Sequence, residues 1–294
     1  MAFEASTVAL VAAGFWSMSM VLSKRGLSEG GTSLQVTVVV TGIAVLVYWP
    51  FLFVQYGTGL FDAFTPVGVG VFVAAGLVGT ALGRLSSFAA INRVGASVNN
   101  AAVSARPLFA TALAFLWLGE AIGLQVGVGI VVLVIGLVVL SLSRGGDIEG
   151  WQSWELLFSL GAAGAWAFAD VIRRFALTTT PATALHGVAV NETAGFVALA
   201  AFLVARHPEQ LFVPPKRASW AFIGSGAFNA CSLLLFFVAL EIGPVAIATS
   251  LVGVSALYTA VFAYFLLGDL ERITRGIVVG AVLVVIGAAM ITLA

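Results

Sequence analysis

The sequence predicts an all-α membrane protein with ten transmembrane helices arranged as two inverted five-helix repeats. Three observations predict it. The 294-residue chain is 61% apolar and only 9% charged, where an average soluble domain is about a quarter charged. Its apolar residues form long unbroken runs, and the second half of the chain repeats the first. A mean hydropathy of +1.12 agrees with the first two.

A bilayer core about 30 Å thick needs roughly 20 mostly apolar residues per helix, and only helices or closed barrels satisfy their backbone inside it. Barrel strands would alternate apolar and polar residues over short segments, and these runs do not. In chain order the first span is Phe3–Ser23, ending at Lys24 and Arg25. It lacks a basic leader and a small-residue cleavage site, so it reads as a retained helix. Leu34–Gln55 follows, then the turn-forming stretch Gly57–Pro66. The third span, Val67–Ile91, runs to Arg93, and the fourth, Ala96–Leu118, stops at Gly119-Glu120. The fifth, Leu124–Leu142, is closed by the polar stretch Gly145–Gln152. In the second half, Trp154–Arg174 ends at Thr178–Pro181, and Ala184–Val204 ends in the charged loop Arg206–Arg217. Ser219–Leu240, Val245–Leu267 and Ile277–Leu293 complete the set.

Composition excludes other classes. So few charges cannot cover a soluble globule of this size. Cys231 is the only cysteine, which rules out a disulfide framework. Thirteen Lys/Arg against thirteen Asp/Glu leave no basic face for nucleic acid. The expected partners are the lipid bilayer and a small-molecule substrate, with a coupling proton as a further candidate, no cofactor and no metal. A monomer is the expected functional unit.

The loops after the odd-numbered spans carry nine Lys/Arg: Lys24, Arg25, Arg93, Arg144, Arg206, Lys216, Arg217, Arg272 and Arg275. The opposite side has two, Arg173 and Arg174. The positive-inside rule puts the richer side in the cytoplasm and both chain ends outside, in the cell membrane.

The run Pro107 to Glu120 (PLFATALAFLWLGE) aligns without a gap on Ala256 to Asp269 (ALYTAVFAYFLLGD), at a shift of 149. Gly14 and Trp16 align with Gly164 and Trp166 at a shift of 150, and Gly129 and Gly136 with Gly280 and Gly287. Residues 1–146 and 147–294 thus form two repeats of five helices within one transmembrane domain. Five is odd, so the repeats run in opposite senses across the membrane. Inverted repeats build alternating-access carriers whose substrate site lies near mid-membrane between the halves. The symmetric pairs Gly123/Gly127 and Gly276/Gly280 are expected to bring helices into close contact.

These residues resemble the EamA family of the drug/metabolite transporter superfamily. The resemblance rests on Pro107, Gly119-Glu120, Gln125, Gly129 and Gly136, and on the small-Trp pair opening each half; it covers the whole chain twice. The second copy departs in Ala256, Asp269 and Thr274. The resemblance implies a ten-helix secondary carrier of small metabolites, often amino acids or drug-like molecules and frequently exported, and not an enzyme. Family members are commonly drawn with both ends in the cytoplasm, opposite to the charge count, which leaves the direction of transport open.

An ionisable group inside a span should face protein or water, because mid-bilayer placement costs at least about 2.5 kcal/mol. Arg84, Arg106, Asp170 and Glu192 qualify. Two of each sign allow mutual neutralisation as well as binding. Arg173 and Arg174 lie three and four residues after Asp170, the spacing of a local ion pair near the helix end; Arg106 and Glu192 lie deeper. Helical spacing adds Trp16, Asn99, Trp166, Asn229, Phe236 and Tyr258 to one expected substrate site of aromatic walls with polar anchors. Arginine suits a carboxylate, and an acid suits an amine or a proton. A passive facilitator and a non-transporting scaffold are the alternatives. An intramembrane enzyme lacks parts: Ser255 has no histidine after it to serve as base, and Gly268-Asp269 lacks the first glycine of an aspartyl motif.

Overall fold

A computed structural model describes residues 2–143, 151–211, 215–267 and 275–294. The proposed repeat boundary, Arg144, Gly268, Asp269, Arg272 and Thr274 lie outside the described residues. Every described element is a helix. The first half holds α1 (Ala2–Ser28), α2 (Ser33–Tyr56), α3 (Pro66–Ala75), α4 (Arg84–Val94), α5 (Ala96–Val103), α6 (Arg106–Leu118) and α7 (Leu124–Leu142). The second holds α8 (Leu156–Thr179), α9 (Ala184–Arg206), α10 (Lys216–Ile242), α11 (Val245–Val252), α12 (Ser255–Leu267) and α13 (Arg275–Thr292).

Local chemistry sets several ends. Thr32 and Gln35 form a reciprocal cap on α2, each side chain accepting the other residue's backbone N–H, at 3.2 and 3.0 Å. Thr65 caps α3 by accepting the Gly68 N–H at 3.1 Å, with Pro66 in the first turn, where no donor is needed. Gly119, at φ +66°, closes α6 in the left-handed region that favours glycine.

Among the described residues nine helical stretches are long and apolar enough to span a bilayer; the ninth predicted span contains the shorter apolar helix Val245–Thr259. Burial is inverted relative to a soluble protein. Val131, Ile135, Val282 and Val285 face outward, while Asp170, Asn191 and Glu192 are fully buried. That distribution is the one lipid requires.

Packing repeats with the sequence. From the first half α1 packs on α10 of the second, and from the second α8 packs on the α3–α4 span of the first, the equivalent pair. Likewise α6 packs on α8 as α12 packs on α1, while α2 meets α9 and α7 meets α13, each equivalent to its own partner. Exchanging the halves therefore maps these principal contacts onto one another, in keeping with two five-helix repeats.

Backbone meets backbone where α7 packs on α13. A Cβ added at Gly136 would stand 2.7 Å from the Val284 N, and one at Gly280 2.7 Å from the Leu140 N, so the backbones touch directly. Gly129 and Gly287 make the same contact two turns along. The expectation for Gly123 and Gly127 is corrected: a Cβ at either meets nothing within 4 Å.

Candidate functional site

Two spans that read as continuous are broken. The fourth stops at Val103 and restarts at Arg106; the ninth stops at Val252 and restarts at Ser255. These are equivalent positions at the shift of 149. In the first copy Pro107 brings no N–H to the new helix, and in the second Gly253 occupies the turn. The break puts Arg106 in the first turn of α6, from where its side chain reaches α8.

There Arg106 meets Asp170. Its Nε and Nη2 donate to Oδ2 at 2.9 and 2.6 Å. Arg173 Nη1 donates to the other oxygen, Oδ1, at 2.9 Å. Asp170 is thus a fully buried carboxylate with both oxygens on guanidinium groups. Aromatic faces complete the surroundings of the cations. Arg106 lies 5.5 Å from the Phe236 ring centre and 5.9 Å from that of Trp166, and Arg173 lies 5.3 Å from Phe237.

Arg173 also extends the network, its Nε donating to Asn191 Oδ1 at 3.0 Å. Asn191 Nδ2 donates onward to Thr80 Oγ1 and to Glu192 Oε1, at 3.1 and 3.0 Å. Thr80 Oγ1 donates to the same Glu192 oxygen at 3.0 Å. The third span winds as a π-helix over Gly76–Gly83 as it passes this point, a form concentrated at functional sites. Its glycines let the backbone lie against α8 and α9. A Cβ at Gly79 would meet Ala169 at 2.7 Å and Arg173 at 2.9 Å, and one at Gly83 would meet the Trp166 ring at 2.6 Å. Trp166 Nε1 donates to the Gly79 carbonyl at 2.8 Å.

Arg84 opens α4 just after the π segment, half-buried and within the field of Glu192, and hydrogen-bonds to no described residue. The network therefore crosses the halves, with Thr80, Arg84 and Arg106 from one and Asp170, Arg173, Asn191 and Glu192 from the other.

The EamA-like transporter family matches this chain twice, over residues 5–142 and 153–293. The chain belongs to that family. An uncharacterized transporter of Clostridium kluyveri is 32% identical over 132 residues, which is 45% of this chain and 42% of that protein. The chain thus matches less than half the length of that relative. A solved crystal structure superposes with a TM-score of 0.81, covering 98% of this chain and 96% of the other; at 17% identity the likeness is one of fold. The protein is accordingly a multi-pass membrane protein of a transporter family.

The residues that mark the EamA resemblance have visible structural duties. Gln125 Nε2 donates to the Met290 carbonyl at 3.2 Å, alongside the Gly129 and Gly136 contact of α7 with α13. Glu120 fastens one end of the bundle. Its Oε2 accepts the Val245 N–H at the start of α11 at 2.9 Å, and its Oε1 faces Arg174 Nε at 3.5 Å. Arg174 Nη1 in turn donates to the Leu240 and Glu241 carbonyls ending α10, at 2.6 and 2.7 Å. Glu241 Oε2 accepts the Ala184 N–H that opens α9, at 3.0 Å. One EamA glutamate from the first half thus holds the ends of several second-half helices. Burial pushes its carboxyl above the ordinary glutamate range, against the opposing pull of the Val245 N–H and Arg174.

Of the ten residues expected at the site, Arg106, Trp166, Asp170, Glu192 and Phe236 come together, with Arg84 beside them. The other four form no hydrogen bond with the network. Trp16 is half-buried against the apolar core. Asn99 donates to Ser87 Oγ at 3.0 Å between the third and fourth spans. Asn229 is buried on α10 with its Nδ2 unpartnered, and the Tyr258 ring stacks 6.4 Å from Phe262. Arg173 and Arg174, counted as flanking charges, lie inside α8, and Arg173 is buried. The local Asp170–Arg173 pair forms, but Asp170 is also the acid that holds Arg106. Thr80 and Asn191 are part of the network although neither was among the ten residues expected at the site. A separate groove of about 460 Å³ between α3, α6 and α8 is lined by apolar residues such as Trp117, Phe168 and Phe175 and by none of the network.

Proposed function

We propose that this protein is a secondary transporter of the cytoplasmic membrane. It moves a small carboxylate-bearing metabolite, amino-acid-like or amphipathic, by alternating access, and it works as a monomer. The observation that carries this reading is Arg84. Three guanidinium groups (Arg84, Arg106 and Arg173) stand against two carboxylates in the middle of the bundle, and Arg84 is the one without a hydrogen bond among the described residues. An unmatched cation inside a span calls for an anion, and a guanidinium fork fits a carboxylate. Alternating access is supported by the two inverted halves and by the Glu120 and Arg174 ties, which fasten the halves at one end. The Lys/Arg asymmetry favours a cytoplasmic position for the side bearing Lys24, Arg25, Lys216 and Arg217.

Uptake into proteoliposomes of purified protein tests the reading. Saturable flux and trans-stimulation by the common L-amino acids are expected, both lost when the carboxylate is replaced by an amide, and both lost in Arg84→Gln. Non-saturable flux would identify a passive facilitator. Absence of flux across amino acids, nucleosides and organic cations would leave a scaffold.

A further inference from the structure

The two buried acids are bonded in different ways. Asp170 has an arginine on each oxygen. Glu192 is equally buried, at 0% exposure, yet no Lys or Arg among the described residues lies within ion-pair distance of it. Its two hydrogen bonds come from neutral donors, Thr80 and Asn191, and both fall on Oε1. Oε2 is sealed from the surroundings and has no partner.

An ionised carboxylate with a bare oxygen in a low-dielectric interior is poorly stabilised. One proton on Oε2 removes the charge while leaving both hydrogen bonds to Oε1 in place. Nothing larger reaches that sealed oxygen in this conformation. The groups that feel the Glu192 charge come from each side: Tyr48 from α2, Arg84 from the third span, and Arg173 from α8. Tyr48 is held by the Ala230 carbonyl at 2.7 Å, and Arg173 is held by Asp170 and Asn191. Only Arg84 is left to respond.

We infer that Glu192 is a proton-binding site that makes transport a proton symport. The inference rests on the carrier reading above, with the substrate carboxylate on Arg84. The sign follows from charge. A carboxylate arriving at Arg84 cancels the cation that favours ionised Glu192 and adds a like charge beside it, so it promotes proton uptake. A proton on Glu192 in turn frees Arg84 from its competing acid. By linkage, proton and carboxylate each favour the other's binding and cross together.

The test uses purified full-length protein in proteoliposomes with a pH-sensitive dye in the lumen and the membrane potential clamped at zero. A mixture of the common L-amino acids is the probe. Counterflow without a gradient is measured first. Then, with the mixture added outside, wild-type protein should acidify the lumen, and one unit of inward pH gradient should give about tenfold accumulation. Glu192→Gln should lose both lumen acidification and accumulation, read per unit of whatever counterflow the variant retains. An independent arm records the infrared carbonyl band of a protonated carboxylic acid in detergent-purified protein; a band that titrates in wild type and is missing in Glu192→Gln supports the site. Flux without lumen acidification, or with alkalinisation, overturns symport and leaves the carrier reading standing. Absence of counterflow overturns both. A titrating band that persists in Glu192→Gln assigns the proton to another residue and overturns the inference.

Discussion

Asp170 and Glu192 are both fully buried acids, on neighbouring helices of the same half, joined through Arg173 and Asn191. One is saturated and the other is not. Asp170 gives each oxygen to a guanidinium and links α6 to α8. Glu192 keeps one oxygen unpartnered and no ion-pair partner among the described residues. A buried acid with a guanidinium on each oxygen is neutralised from both sides, and that pairing joins helices. An unsaturated one is a cost that folding alone does not explain. Where charge sits inside a bundle says less about function than which of its valences remain open.

The sharpest way to break the comparison is Asp170→Asn. The asparagine fills the same space but leaves buried Arg173 and half-buried Arg106 beside a neutral group. The expected loss is about 3–5 kcal/mol of stability, read as a large fall in melting temperature of the detergent-purified protein. Arg106→Met in that background should recover part of the loss, because it removes one of the two unpaired charges. A fall no larger than that of a conservative surface change would mean the Asp170 pairs are not structural.

The next test sharpens the contrast from the other side. Glu192→Gln retains an oxygen that accepts from Thr80 and Asn191, and it removes an acid with no ion-pair partner among the described residues. Its cost in stability is expected to be under about 1.5 kcal/mol, near the net value of one hydrogen bond. If melting temperature falls as far as in Asp170→Asn, Glu192 is a structural partner of the arginines and its open oxygen means nothing.

How much of this was readable in the sequence depends on the signal each feature leaves. The spans and the repeat were legible, because lipid forces every span to be apolar and helical, and because Pro107–Glu120 aligns without a gap on Ala256–Asp269, with apolar residues mostly facing apolar ones and Gly-Glu facing Gly-Asp at the end. Arg84, Arg106, Asp170 and Glu192 were legible as charges in apolar runs. Their pairing was not. Spacing along one helix found Asp170–Arg173, but Arg106–Asp170 joins residues 64 apart in sequence and depends on how α6 leaves its break. Arg173 was read as a flank because the sixth span was taken to end at Arg174, whereas α8 continues through Phe175 and Leu177 to Thr179. The break in the ninth span rests on Gly253, one of 33 glycines, and so had no distinct signal where Pro107 did. Glycine contacts depend likewise on which face meets a neighbour. Gly129 and Gly136 touch α13 while Gly123 and Gly127 touch nothing, and spacing alone does not separate the pairs.

The smallest expected effect lies at the end of the bundle, where a third acid falls between the other two. Glu120 has one oxygen on the Val245 N–H and the other only loosely on Arg174, at 3.5 Å. Burial raises its carboxyl above the ordinary glutamate range. A folded-state value above the unfolded one means that the folded protein binds this proton more tightly. The stability Glu120 contributes is therefore complete below the ordinary glutamate value, about pH 4, and is lost as pH rises through the raised value. Glu120→Gln keeps an acceptor for Val245 and abolishes the titration. Melting curves of wild type and Glu120→Gln, compared from about pH 4 to pH 8, should show the wild type losing stability with rising pH relative to the variant. The difference should stay under about 1 kcal/mol, because the Arg174 pair is partly solvated. If the wild type instead gains on the variant as pH rises, the Arg174 ion pair outweighs burial. Glu120 would then belong with Asp170 as a charge held for structure.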